Sequence, residues 1–106
     1  MKIQVNSDSS LMLDAAFAAY VEETVGGVLN RFAEHLSRVE IHLSDLDGER
    51  NGGNDKRCVL EARPSGKDPV AVTEESATRE QAVKGAARKM ERLLDSRFGK
   101  LEARRQ

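Results

Sequence analysis

The sequence predicts an α+β fold with the order β-α-β-β-β-α, a four-stranded sheet with two helices packed on one face. Three observations carry that expectation. Four short segments alternate apolar and polar residues, the period of a half-buried strand, and two longer segments repeat apolar residues every three or four positions, the period of an amphipathic helix. The last three strand segments are separated only by turn-forming residues, which fits an antiparallel meander rather than helical crossovers. Each strand has one apolar face and each helix one apolar stripe, so both helices are expected on the same side of the sheet, with the other side polar and open. At 106 residues the chain suits a single domain spanning 1–106.

The first strand is residues 2–6, with Ile3 and Val5 on one face. Asp8, Ser9 and Ser10 form a turn, and Asp14 is the expected N-cap of a helix running to about Leu36. Phe17, Val21, Val25, Val28, Phe32 and Leu36 make its apolar stripe. Gly26 and Gly27 each cost that helix about 1 kcal/mol relative to alanine, a weakening that packing can tolerate. The second strand, 38–44, turns Val39, Ile41 and Leu43 inward and Arg38, Glu40 and His42 outward. Residues 45–55, rich in Gly, Asn and Asp, read as a long hairpin connection. The third strand, 57–63, has Cys58, Leu60 and Ala62 on one face and is ended by Pro64, which cannot donate to a ladder. A turn at 65–68 leads to a fourth strand at 69–74 carrying Val70 and Val72.

Thr78 followed three residues later by Gln81 matches a capping box, so the last helix begins near Arg79 and runs to about the end of the chain. Val83, Ala86, Met90, Leu93, Leu94 and Leu101 form its apolar stripe, and Lys84, Arg88 and Arg92, at four-residue steps, project from roughly the opposite side. Lys89 and Lys100 lie at the border, and Arg97 falls close enough to the stripe that its guanidinium must snorkel out.

Composition removes several function classes. There is no Trp, Tyr20 is the only Tyr, and the Phe residues are Phe17, Phe32 and Phe98, too few for a platform that stacks successive bases. Cys58 is the only cysteine, which excludes an intramolecular disulfide and a thiol cluster for zinc; its place in an alternating strand makes it a buried hydrophobe. No apolar run reaches membrane-spanning length, so the expectation is a soluble cytoplasmic protein without a membrane partner. Gly48 and Gly53 have P-loop spacing, yet Asn54 stands where the phosphate-binding Lys is required. Neither a nucleophile elbow nor a zinc-protease or dinucleotide motif is present, and His35 and His42 have no ligand spacing around them. The acid pairs Glu22-Glu23 and Glu74-Glu75 are sequence neighbours, which suits solvated surface better than a general acid and base. The expected answer is no enzyme: no catalytic residue, metal, cofactor or small-molecule substrate.

Charge points elsewhere. Seventeen Lys and Arg against 18 Asp and Glu leave a net charge of -1, but residues 79–106 hold nine basic and four acidic side chains, an excess of +5 against -6 for the rest. With a Debye length of about 8 Å at physiological salt, a local cationic helix attracts phosphate despite an acidic far side. A charged helix face is ordinarily just solvated, and Glu91 and Asp95 are placed to pair with Arg88 and Arg92. Lys56 and Arg57, at the start of the third strand, form a second cationic spot. With few planar readers, phosphate contacts on an irregular RNA surface suit these residues better than base reading.

The element order, the opening Met-Lys-Ile-Gln-Val-Asn, Leu13-Asp14 and Asn30-Arg31-Phe32 at the two ends of the first helix, and Glu80-Gln81-Ala82-Val83 leading into Lys89-Met90-Glu91-Arg92 resemble the ribosome hibernation-promoting factor and ribosome-associated inhibitor family, over nearly the whole chain. The resemblance implies a stress protein that binds ribosomal RNA in the decoding channel of the small ribosomal subunit, blocking messenger and transfer RNA by occupancy. It implies contacts to RNA phosphates by Lys89 and Arg92, to which helical periodicity adds Lys84 and Arg88; Lys56 and Arg57 complete the expected set. It also implies the short type of the family, without the C-terminal domain by which long members pair ribosomes. Two other readings stand beside it. A double-stranded RNA-binding module shares the order helix, three strands, helix, although Thr78-Arg79-Glu80-Gln81 lacks its Lys cluster; a protein-interaction module would use the open sheet face or the 45–55 loop.

Overall fold

A computed structural model describes residues 1–8, 13–46 and 55–105, with side chains as far as Phe98. Its elements are β1 (Lys2–Ser7), α1 (Ala15–Leu29), a 3-10 segment (Asn30–His35), β2 (Leu36–Asp45), β3 (Lys56–Pro64), β4 (Val70–Ser76) and α2 (Arg79–Arg105). The α+β order is the expected one. β1 pairs in parallel with β2, across α1, while β2, β3 and β4 pair antiparallel, giving a mixed sheet in the order β1-β2-β3-β4. The turn at Ser9 and Ser10 and most of the 45–55 connection lie outside the described residues; the latter is closed at its base by Leu46 N–H donating to the Asp55 carbonyl at 2.6 Å.

Alternation buries Val39, Ile41, Leu43, Cys58, Leu60, Ala62 and Val70 on one sheet face, where they meet Phe17, Val21, Val25 and Leu29 of α1 and Val83, Ala86, Met90 and Leu94 of α2 in one cluster. Both helices therefore cover the same face. Asp14 caps α1 as expected, accepting from Phe17 N–H at 2.7 Å, and Thr78 caps α2, accepting from Gln81 N–H at 3.1 Å. Leu93 is only partly buried, and Leu101 lies beyond the described side chains.

The first helix departs from expectation at its end. It stops at Leu29 rather than near Leu36, and the chain tightens into the 3-10 segment before entering β2 at Leu36. In that tighter winding residues three apart eclipse, so Leu29, Phe32 and His35 line up: Leu29 is fully buried while the expected Val28 packs against the core only in part, Phe32 stays in the core, and the His35 ring stacks on Phe98 of α2 at 4.8 Å. Thus His35 ends a 3-10 turn, not the last turn of α1. Gly26 and Gly27 leave α1 intact; a Cβ at Gly26 would meet Ile3 at ordinary contact distance, and one at Gly27 would meet nothing. Between β3 and β4, Gly66 takes φ +73, and Lys67 N–H closes the turn onto the Pro64 carbonyl at 3.2 Å.

Cys58 is fully buried in the sheet, as its alternation implied. Burial, with the nearby Glu74 charge adding to it, pushes its thiol up to about 12 from 9.0. Between those values the folded chain holds a proton that the unfolded chain has released, so stability is expected to fall as pH rises above about 9, by at most about 1.4 kcal/mol per pH unit. Urea titrations from pH 8.5 to 10.5 check this: the decline should be shallower in Cys58→Ala by that increment.

Candidate nucleic-acid interface

At 1.5 Å rise per residue, the four-residue steps of Lys84, Arg88 and Arg92 place three cationic stems about 6 Å apart along α2, on the side turned away from Val83, Met90 and Leu94. All three are exposed. Among the described residues none of the three has a carboxylate within ion-pairing distance. The acids expected to neutralise them are used otherwise or stand apart: Asp95 accepts from Arg31 at 3.1 Å, which joins the 3-10 segment to α2, and Glu91 pairs with neither arginine. Arg97, expected beside the apolar stripe, is exposed too, because that stripe passes through Leu94 to Phe98 and leaves Arg97 clear of the sheet.

The other expected contacts are differently placed. Lys56 Nζ reaches Asp55 at 2.9 Å and Asp45, its cross-strand partner, at 3.1 Å. The hydrogen bond to Asp55, then that to Asp45, raises the Lys56 amine above its ordinary value, and the same Lys56 bond holds the Asp55 carboxyl below its own. Arg57 donates to Glu75, opposite it on β4, at 2.9 Å. Lys89 donates to the Thr73 carbonyl at 2.8 Å and pairs with Glu74 at 2.9 Å. The six residues thus fall into two groups: Lys84, Arg88 and Arg92 form one ridge whose charges meet no carboxylate among the described residues, whereas Lys56, Arg57 and Lys89 already hold carboxylates of β2, β4 or the hairpin base.

The open sheet face is charge-balanced. Arg38 and Arg63 both reach Glu40, at 3.5 and 3.3 Å, and Arg63 also holds Glu61 at 3.0 Å. Near the other end of the strands His42, Asn6 and Val59 border a shallow pocket of about 330 Å³. The N-terminal half of α2 is tied to α1 by Arg79, whose guanidinium lies 4.1 Å over the Phe17 ring and 2.8 Å from Glu80. Among the described residues no group of His, Cys, Asp and Glu could hold a metal ion, and no helix is long and apolar enough to cross a membrane.

Sequence reasoning missed Glu74 and Gly85. Glu74 shares the inward parity of Val70 and Val72, so it lies on the helix-covered face rather than in open solvent, and Gly85 of α2 sits directly over it. A Cβ at Gly85 would fall on the Glu74 side chain, within 2.7 Å of its Cγ and Cδ. The signal was present: strand parity turns Glu74 inward, and a glycine one helical turn before Lys89 leaves room for it.

A family model described as Sigma 54 modulation protein / S30EA ribosomal protein matches residues 3–102. Among solved structures, the Protein Y N-terminal domain from Thermus thermophilus superposes with a TM-score of 0.71 at 25% identity, over 92% of this chain and 99% of that one. A ribosomal subunit interface protein from Coxiella burnetii superposes with a TM-score of 0.73 over 93% of this chain and 99% of that one; at 16% identity this likeness speaks for the fold alone. No curated protein sequence matches the chain.

Proposed function

Because the chain belongs to the Sigma 54 modulation protein / S30EA ribosomal protein family, we propose that it is a ribosome hibernation factor that binds ribosomal RNA in the decoding channel of the small subunit and excludes messenger and transfer RNA by occupying their place. The observation that carries the RNA contact is the ridge of Lys84, Arg88 and Arg92, exposed and without counter-ions among the described residues. Phosphates would replace only water and mobile ions there. At Lys56 and Arg57 a phosphate must displace Asp55, Asp45 or Glu75, so that spot contributes less. The balanced sheet face offers a polyanion no comparable surface.

Sucrose-gradient sedimentation of the protein with purified ribosomal subunits tests the proposal. The protein should travel with small subunits, leave them as salt rises, and compete with messenger and initiator transfer RNA for binding. Equal affinity for a plain RNA duplex would support a duplex-binding module instead, and binding that survives high salt and nuclease would support a protein-interaction module.

A further inference from the structure

We infer that Glu74 acts as an internal substitute for phosphate, holding the Lys89 amine on β4, so that Lys89 positions α2 and does not contact RNA. The inference deepens the ribosome-binding reading and rests on it for what the RNA contacts are; the clamp itself stands on intrachain geometry. Lys89 lies one residue after Arg88 on the same helix, yet its amine has two short acceptors, the Thr73 carbonyl at 2.8 Å and Glu74 at 2.9 Å, both on β4. Glu74 is the more enclosed partner: its side chain is 28% exposed against 47% for Lys89. It is held beneath α2, where a Cβ at position 85 would take the space its side chain fills and force that side chain to shift. A carboxylate kept in that niche needs a counter-charge, since an unpaired, partly desolvated charge costs more than an exposed one. Lys89 supplies it. Lending the amine to an RNA phosphate would strand Glu74 and break the bond to Thr73, costs that Lys84, Arg88 and Arg92 do not face. The clamp also fixes the α2 face that meets β4, and with it the direction in which the ridge points.

Two measurements on the full chain test this. In the free protein, acylation of lysines by an amine-reactive ester, read by mass spectrometry, should modify Lys89 about fivefold more slowly than Lys84, the factor given by an ion pair at the strong end of the exposed range. Glu74→Gln, and independently Gly85→Ala, which pushes the carboxylate out of its niche, should bring Lys89 up to the rate of Lys84. Equal rates in the unmodified chain would overturn the clamp, whatever the protein binds. With purified small subunits, Lys89→Gln should leave the slope of log K against log salt unchanged, whereas Arg88→Gln flattens it by about 0.7 to 0.9, and Glu74→Gln steepens it by about the same amount as a cation is released. Lys89→Gln flattening the slope as much as Arg88→Gln would overturn the positioning role. A slope unmoved by Arg88→Gln would instead contradict the ribosome-binding reading, with the acylation result still deciding the clamp.

Discussion

Replacing Lys84, Arg88 and Arg92 together by alanine is expected to weaken binding to small ribosomal subunits on the order of a hundredfold at 0.1 M salt, without unfolding the protein. Each cation that meets a phosphate releases condensed counter-ions, worth roughly 0.7 to 0.9 in the log-log salt slope, so three contacts account for about two log units at that concentration. The fold should tolerate the change because the three side chains are exposed and make no ion pair among the described residues. Alanine is also the best helix former, so α2 gains slightly in propensity. Circular dichroism should be unchanged while binding is lost, which separates this variant from one that fails by misfolding. The corresponding double variant of Lys56 and Arg57 should lose much less, since their charges are already matched by Asp45, Asp55 and Glu75.

The opposite pattern is expected for Leu94→Ala. Leu94 is fully buried in the α2 stripe, within the cluster formed by both helices and the sheet. Truncation removes three carbons and leaves a cavity that a packed interior fills only partly, so about 3 kcal/mol of stability should be lost, within the range of 2 to 5 for such changes. Against a total of roughly 5 to 15 kcal/mol for a small domain this is a large share, and the melting temperature should fall by about 15 °C. Calorimetry or thermal denaturation checks it. Below the lowered transition the ridge keeps all its cations, so the salt slope of ribosome binding should match that of the unmodified protein.

The contrast between these two variants mirrors what the sequence made legible. Helix and strand periods depend on single residues and their spacing, and they located Phe17, Val21, Val25, Ile41, Leu60, Met90 and Leu94 in the core. Capping is equally local, so Asp14 and Thr78 were readable too. The end of α1 was not, because a three-residue spacing from Leu29 to Phe32 fits both an α-helix and the 3-10 turn that follows, and tertiary packing against Phe98 decides between them. At the interface, periodicity supplied which cations share a ridge. It could not supply which of them are already neutralised, since the partners of Lys56, Arg57 and Lys89 come from other strands and depend on register: Asp45 faces Lys56 across one hairpin, and Glu75 faces Arg57 across the next. Glu74 is the instructive case. Sequence adjacency with Glu75 suggests a solvated acid pair, whereas strand alternation puts the two on opposite faces, one beneath α2 and one on the open sheet.

Phosphate contact by the α2 ridge is the premise of the proposed ribosome binding, and the salt dependence of binding measures that contact directly. Association constants for purified small subunits should be taken across a range of potassium concentrations, for the unmodified protein and the Lys84, Arg88 and Arg92 triple alanine variant side by side. With three phosphate contacts, the line for the unmodified protein should be steeper by about two to three units. Parallel lines, with the variant displaced or not, would contradict that premise.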